Sequence, residues 1–189
     1  MKKFTLVPGE LSLAKMRDVY FNGVQLELGA DTWKTIQVAQ ALVKKTVDSG
    51  EIVYGVNTGF GRLAQKHIEP ELLSELQHNL ILSHATGVGA YLDDQTVRLI
   101  LMLKINGLSR GVSGIRSVVL ELLIAMLNND VLPAIPEKGS VGASGDLAPL
   151  AHLSLPIIGE GKVHLNGEYL SSKDAFKKLG LEHLQLTAK

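Results

Sequence analysis

The chain has 189 residues, with 19 Lys and Arg against 19 Asp and Glu, and no Cys. Hydrophobic residues make up 46% and charged residues 20%, a globular mixture that fills one large domain or two small ones without staples. Zero net charge and the lack of any basic run exclude an electrostatic footprint for nucleic acid, and the lack of Cys excludes disulfides, Cys-based zinc sites and thiol nucleophiles.

The opening MKKFTLVPGE is too short for a secretory apolar region. The longest apolar runs, such as Leu122 to Leu127, fall far short of the ~20 residues of a membrane span. A soluble, cytoplasmic protein is the expectation. Phe4 to Val7 is predicted as a strand stopped by Pro8-Gly9, and Ser12 as the cap of a helix over Leu13 to Tyr20. Val24 to Leu28 alternates strictly, as a half-buried strand does. Asp31 is the expected N-cap of a helix running to Gly50, whose period is carried by Ile36, Ala39, Gln40, Val43 and Val47. A glycine-rich loop, YGVNTGFG, follows at 54–61.

From Glu69 the pattern is helical, with Pro70 in a first turn and leucines spaced to about His84, closed by Gly87 and Gly89. Two more helices are predicted over Asp93 to Gly107 and Gly114 to Asn129. Their centres, VRLILMLKI and SVVLELLIAML, are apolar nearly all round, and a helix of that kind is buried on every face. Either they form a compact bundle core, or they belong to a larger bundle completed by further sequence or by other subunits. Asn166-Gly167 between Val163-His164-Leu165 and Glu168-Tyr169-Leu170 predicts a hairpin, with Ser172 then capping a helix that ends at Gly180. The expected division is 1–66 mixed α/β, 67–130 bundle helices, and 131–189 loop, helix and hairpin. The fold class is therefore mainly α, with a small mixed α/β N-terminal region packed on long helices.

The segment with the densest chemistry is GSVGASGDLAPLAHLSLPIIGEG, 139–161. As plain structure, Ser144 or Asp146 caps a helix through Leu147, Leu150 and Leu153. As chemistry, the unhindered Gly145 nitrogen can reach the Ala143 carbonyl if the backbone bends sharply. Ring closure with loss of water, together with dehydration of Ser144, yields a methylidene-imidazolone. That group is an electrophile built from backbone, and a following helix N-terminus withdraws electrons from it. The six histidines lack HExxH spacing and any Cys, so no metal site is expected. GFGRLA and GVGAYL lack the Lys of a phosphate loop.

ASGD within GSVGASGDLAPLAHLSL resembles the signature of the aromatic amino acid ammonia-lyases, and of their histidine-selective members in particular. YGVNTGFGRLA (54–64), LILSHATGVG (80–89), LKINGLSRGVSGIR (103–116), VPGELSLAKMR and LEHLQLTAK extend the resemblance over essentially the whole chain. The resemblance implies that Ala143, Ser144 and Gly145 form the prosthetic group, with Asp146 assisting cyclisation or holding the helix start. It implies Tyr54 as the base for the substrate's β-proton, against the alternative of an aromatic packed at a strand end. A tyrosine in that role needs a positive field or hydrogen bonds to its phenolate. His84, beside Ser83, is implied as the contact to the substrate ring, because one imidazole can hydrogen-bond another. Asn57, Gly59 and Gly61 are expected to shape the loop over the site.

The implied reaction is non-oxidative elimination of ammonia from L-histidine to give urocanate, with no metal and no diffusible cofactor, by a homotetramer. Family members are much longer, so the resemblance implies an N-terminal portion that is incomplete and inactive alone. The residues for the substrate carboxylate would lie beyond Lys189. The alternatives are a tyrosine- or phenylalanine-selective lyase or aminomutase of the same family, and a noncatalytic truncated relative.

Overall fold

A computed structural model describes residues 3–58, 68, 70–140, 145 and 147–187, the side chains of 70 and 71 excepted. Strand β1 (Lys3–Leu6) and strand β2 (Gln25–Leu28) pair in parallel, joined by helix α1 (Leu13–Asn22). Ser12 caps α1, its hydroxyl accepting from the Lys15 amide at 3.3 Å. Helix α2 (Ala30–Asp48) starts earlier than an Asp31 cap predicts. Gly29, in extended backbone, is the N-cap, and Asp31 lies in the first turn, where its carboxylate suits the helix dipole.

Helices α3 (Pro70–His84), α4 (Asp94–Leu108) and α5 (Ser117–Asn128) follow. Asp93 caps α4, its carboxylate accepting from both the Thr96 amide and the Thr96 hydroxyl at 2.8 Å. The predicted start of α5 at Gly114 is too early. Gly114 has φ +70, outside the helical range, and the first helical amide, Ser117, donates to Gln40 Oε1 of α2 at 2.8 Å. Its cap is thus supplied by another helix. The turn before it lies close on α2: a Cβ at Gly111 would sit 3.1 Å from the Thr35 carbonyl carbon.

Between α3 and α4 the chain forms strand β3 (Val88–Tyr91), which the sequence pattern does not predict. After α5 come β4 (Leu132–Pro133) and β5 (Pro136–Lys138), then α6 (Leu147–Ser154), a 3-10 turn (Leu155–Ile158), β6 (Lys162–Leu165), β7 (Glu168–Ser171) and α7 (Ser172–Leu179). Strands β3 and β5 pair antiparallel, as do β4, β6 and β7 in that order. The β6–β7 hairpin turns at Asn166 (φ 52) and Gly167 (φ 86), as predicted for Asn-Gly. Ser171, not Ser172, caps α7 by accepting from the Asp174 amide at 3.1 Å. Ser172 is buried and donates to the Glu160 carbonyl at 2.8 Å.

One core joins β1, β2, β4 and β6 to α1, α2, α4, α5, α6, the 3-10 turn and α7, including Leu6, Leu26, Ile36, Leu101, Met102, Ile105, Leu120, Leu123, Met126, Val163 and Phe176. Helix α5 buries Val119, Leu120, Leu122, Leu123, Met126 and Leu127 within this chain alone. Most of its apolar circumference is therefore covered by α2, α4, β2 and the 3-10 turn, without a larger bundle. Apolar side chains do remain exposed on α2 (Val38, Leu42), α3 (Leu72, Leu82), α4 (Leu103) and α5 (Val118).

Arg98 of α4 holds the chain just after α5. Its Nε and Nη2 donate to Asp130 Oδ1 and Oδ2 at 2.9 and 2.7 Å, and its side chain is 12% exposed. Asp130→Ala strands this guanidinium and is expected to lower stability by about 2 kcal/mol, read by denaturant unfolding. A loss near zero would show the pair to be solvent-compensated.

Candidate active site

Two of the sequence-selected side chains sit on a short loop after α2. Tyr54 is 63% exposed, whereas Asn57 is buried at 1%. The Asn57 side chain donates to the Glu51 carbonyl at 2.8 Å and accepts from the Val53 amide at 2.9 Å. Its backbone carbonyl accepts from the Ile68 amide at 3.1 Å, and the Thr58 hydroxyl accepts from the Gly55 amide at 3.3 Å. Asn57 thus braces the turn that presents Tyr54 outward. Gly59 and Gly61 lie outside the described residues.

His84 is the last residue of α3 and is half-buried. Its Nδ1 lies 2.8 Å from the Leu80 carbonyl oxygen, which can only accept, so Nδ1 carries the proton. In the neutral ring Nε2 is then an acceptor. The Ser83 hydroxyl donates to the same carbonyl at 3.1 Å and lies 3.2 Å from Nδ1, fixing the ring further.

Ala143, Ser144 and Asp146 lie outside the described residues, but Gly145 and both flanks of the tripeptide are within them. Gly145 has φ +71, in the left-handed region that favours glycine, and open space surrounds the position a Cβ would take. Helix α6 begins two residues later, as the spacing of Leu147, Leu150 and Leu153 predicts. The upstream flank is held by close contact. A Cβ on Gly139 would lie 3.0 Å from the Gly87 Cα and 3.2 Å from the Ala148 Cβ. The turn after His84, the strand end before the tripeptide and the first turn of the helix after it therefore meet at one point. That junction uses β3 and β5, whose pairing places Val88 opposite Lys138 and Tyr91 opposite Pro136.

A residue that sequence reasoning passed over lies at this junction. His152 of α6 accepts the Gly87 amide hydrogen on Nε2 at 3.0 Å. Accepting there requires a neutral ring with its proton on Nδ1. Burial pushes the pKa of His152 below the ordinary histidine value, in the direction that keeps it neutral. The one local signal is its place in LAPLAHLSL, a turn of helix after Ala148 and on the same face, but nothing nearby in the chain names Gly87 as its partner. Among the described residues, no three His, Asp or Glu side chains gather as a metal site, and no helix is long and apolar enough to cross a membrane.

The aromatic amino acid lyase family model matches residues 11–189, and the chain belongs to that family. It is 56% identical over all 189 residues to the histidine ammonia-lyase of Salmonella heidelberg (strain SL476), covering 100% of this chain and 37% of that protein. Among solved structures it is similar to histidine ammonia-lyase from Trypanosoma cruzi, with 34% identity and a TM-score of 0.90, covering 100% of this chain and 36% of that one. It is also similar to the ergothioneine-degrading ergothionase from Treponema denticola, with 33% identity and a TM-score of 0.94, covering 98% of this chain and 37% of that one. The fold is thus the helical aromatic amino acid lyase fold, and the chain spans about 37% of the length of the curated relatives it matches.

The histidine at the junction makes stability pH-dependent. Unfolded, His152 takes a proton as pH falls through ~6.5, while the folded chain resists it. Its contribution is complete above that value and is lost as pH falls toward the lower folded pKa. The melting temperature is expected to drop more between about pH 7.5 and about pH 5.5 in the wild type than in His152→Gln, whose amide oxygen still accepts. Equal drops would exclude His152 as a source of the dependence.

Proposed function

We propose that this chain is the N-terminal part of a histidine ammonia-lyase, which eliminates ammonia from L-histidine to give urocanate. The observation that carries this is the 56% identity over the whole chain to a histidine ammonia-lyase. The complete enzyme is a cytoplasmic homotetramer, and this chain, which spans about 37% of the length of the curated relatives it matches, is inactive alone.

The prosthetic group is a methylidene-imidazolone made from Ala143, Ser144 and Gly145. The Gly145 nitrogen bonds to the Ala143 carbonyl carbon with loss of one water, and Ser144 loses a second. The left-handed backbone of Gly145 supports this, since a chain must bend sharply there for its nitrogen to turn back. The finished group supplies an electrophile, and the start of α6 beside it adds the positive end of a helix dipole. Asp146 holds that helix start or assists cyclisation.

The chain's own side chains then divide the remaining work. Tyr54, presented by the Asn57-braced turn, takes the β-proton of the substrate. His84 offers Nε2 as an acceptor to an imidazole N–H of the substrate, because its Nδ1 is committed to Leu80. A phenyl ring has no such hydrogen to give, so the contact favours histidine over phenylalanine. Asn57 shapes the loop over the site, a role that Gly59 shares by the resemblance of YGVNTGFG alone.

The intact mass of the purified protein is expected to fall two waters short of the encoded value, with the loss mapping to Ala143–Gly145. In the complete enzyme, Ser144→Ala is expected to abolish the mass loss and ammonia release from L-histidine, and Tyr54→Phe to lower release at least about a hundredfold. Full activity in Ser144→Ala would end the mechanism. Products formed from tyrosine or phenylalanine in preference to histidine would move the assignment to another lyase or aminomutase of the family.

A further inference from the structure

We propose that His152 is a positioning residue, tying the turn behind His84 to the helix that follows the Ala143–Gly145 tripeptide, so that substrate-ring contact and electrophile keep one spacing. The inference rests on the lyase function proposed above.

The geometry supplies each link. Only Ala85 and Thr86 separate His84 from Gly87, and the turn they form is closed by its own backbone. The Thr86 amide donates to the His84 carbonyl at 2.8 Å, and the Ala85 amide to the Ile81 carbonyl at 3.1 Å. Gly87 therefore carries the position of His84 with little slack. On the other side, a helical side chain leans toward the N-terminus of its own helix, so His152 reaches back over the turn that holds Ala148. Its Nε2 takes the Gly87 amide at 3.0 Å. The contact is also steric: a Cβ on Gly87 would lie 3.1 Å from that nitrogen and 3.2 Å from the Pro136 Cβ.

This bond is a directional link between the two segments, alongside the close contact of Gly87, Gly139 and Ala148. Packing sets how near the segments come, and the bond sets where along the helix the turn sits. Loss of the bond leaves the close contact intact but frees the turn to slide, which displaces His84 Nε2 relative to the tripeptide. A displacement on the order of 1 Å is costly for a group whose role is orientation.

The test uses the complete enzyme carrying His152→Leu and His152→Gln, with three readouts. Hydrogen exchange at the Gly87 amide is expected to quicken at least about tenfold in His152→Leu, with Gln restoring protection. Intact mass is expected to show the two-water loss in all three proteins. KM for L-histidine is expected to rise about tenfold in His152→Leu with kcat changed less, and to return to within about threefold of wild type in His152→Gln. Unchanged exchange at Gly87, or an unchanged KM once exchange has quickened, would overturn the proposal. Loss of the two-water deficit in His152→Leu alone would overturn it too, by making His152 a requirement for cyclisation or folding. A wild-type protein without the deficit would instead refute the lyase function beneath it.

Discussion

The burial of α5 organises this chain. Half of its residues are buried apolar side chains, and each contributes about 2 kcal/mol by leaving water. The exposed ion pairs, such as Lys34 with Asp31, contribute a few tenths each, so they decorate a structure that α5 has already set. A helix apolar on so many faces needs neighbours on as many sides, and they come from distant parts of the chain: α2, α4, β2 and the 3-10 turn. The ends of α5 show how these neighbours are registered. At its start, Gln40 of α2 takes the first amide. At its end, the Asn128 side chain accepts from the Leu26 amide at 2.6 Å and donates to the Leu26 carbonyl at 2.9 Å, copying the backbone pairing of a neighbouring strand along β2.

That arrangement delivers α6 and α3 to the same place. Strand β4 leaves the end of α5 directly, and β5 brings the chain against β3 before the tripeptide. The described flanks of the tripeptide are thus a strand tied to the α3 turn and a helix tied to it again through His152. Small residues make this possible. A side chain at 139 would press on the Gly87 backbone and on Ala148, and one at 87 on the His152 ring and Pro136.

Much of this was legible in the sequence where the signal was local. The Ser12 cap, the Asn166-Gly167 turn and the leucine spacing of α3 depend on close neighbours in the chain, and the structure has them. What was missed was set from elsewhere. The start of α5 depends on Gln40, far away in the chain. Strand β3 reads Val-Gly-Ala-Tyr, with no alternation to mark it, and exists because Pro136–Lys138 lies alongside. Ser172 is the cap that the sequence predicts, but the Glu160 carbonyl, across the hairpin, takes its hydroxyl, and Ser171 caps α7 in its place. For the candidate site, the motif residues were legible and their supports were not. Asn57 braces its loop with its amide, and the role of His152 depends on Gly87, which nothing near it in the chain names.

The two histidines at this site illustrate how one side chain takes different roles through its hydrogen bonds. In His84 a carbonyl fixes the proton on Nδ1 and leaves Nε2 as an acceptor. In His152 an amide occupies Nε2 and fixes the proton on Nδ1 as well, so both rings are the same tautomer. One therefore has its acceptor nitrogen spent on the fold, and the other keeps it without a hydrogen-bond partner among the described residues. A charged ring would fail in either place, losing the acceptor at His84 and opposing two N–H groups at His152. Burial already disfavours that charge at His152. The neutral state of His152 is thus favoured by the same packing that brings α3 and α6 together.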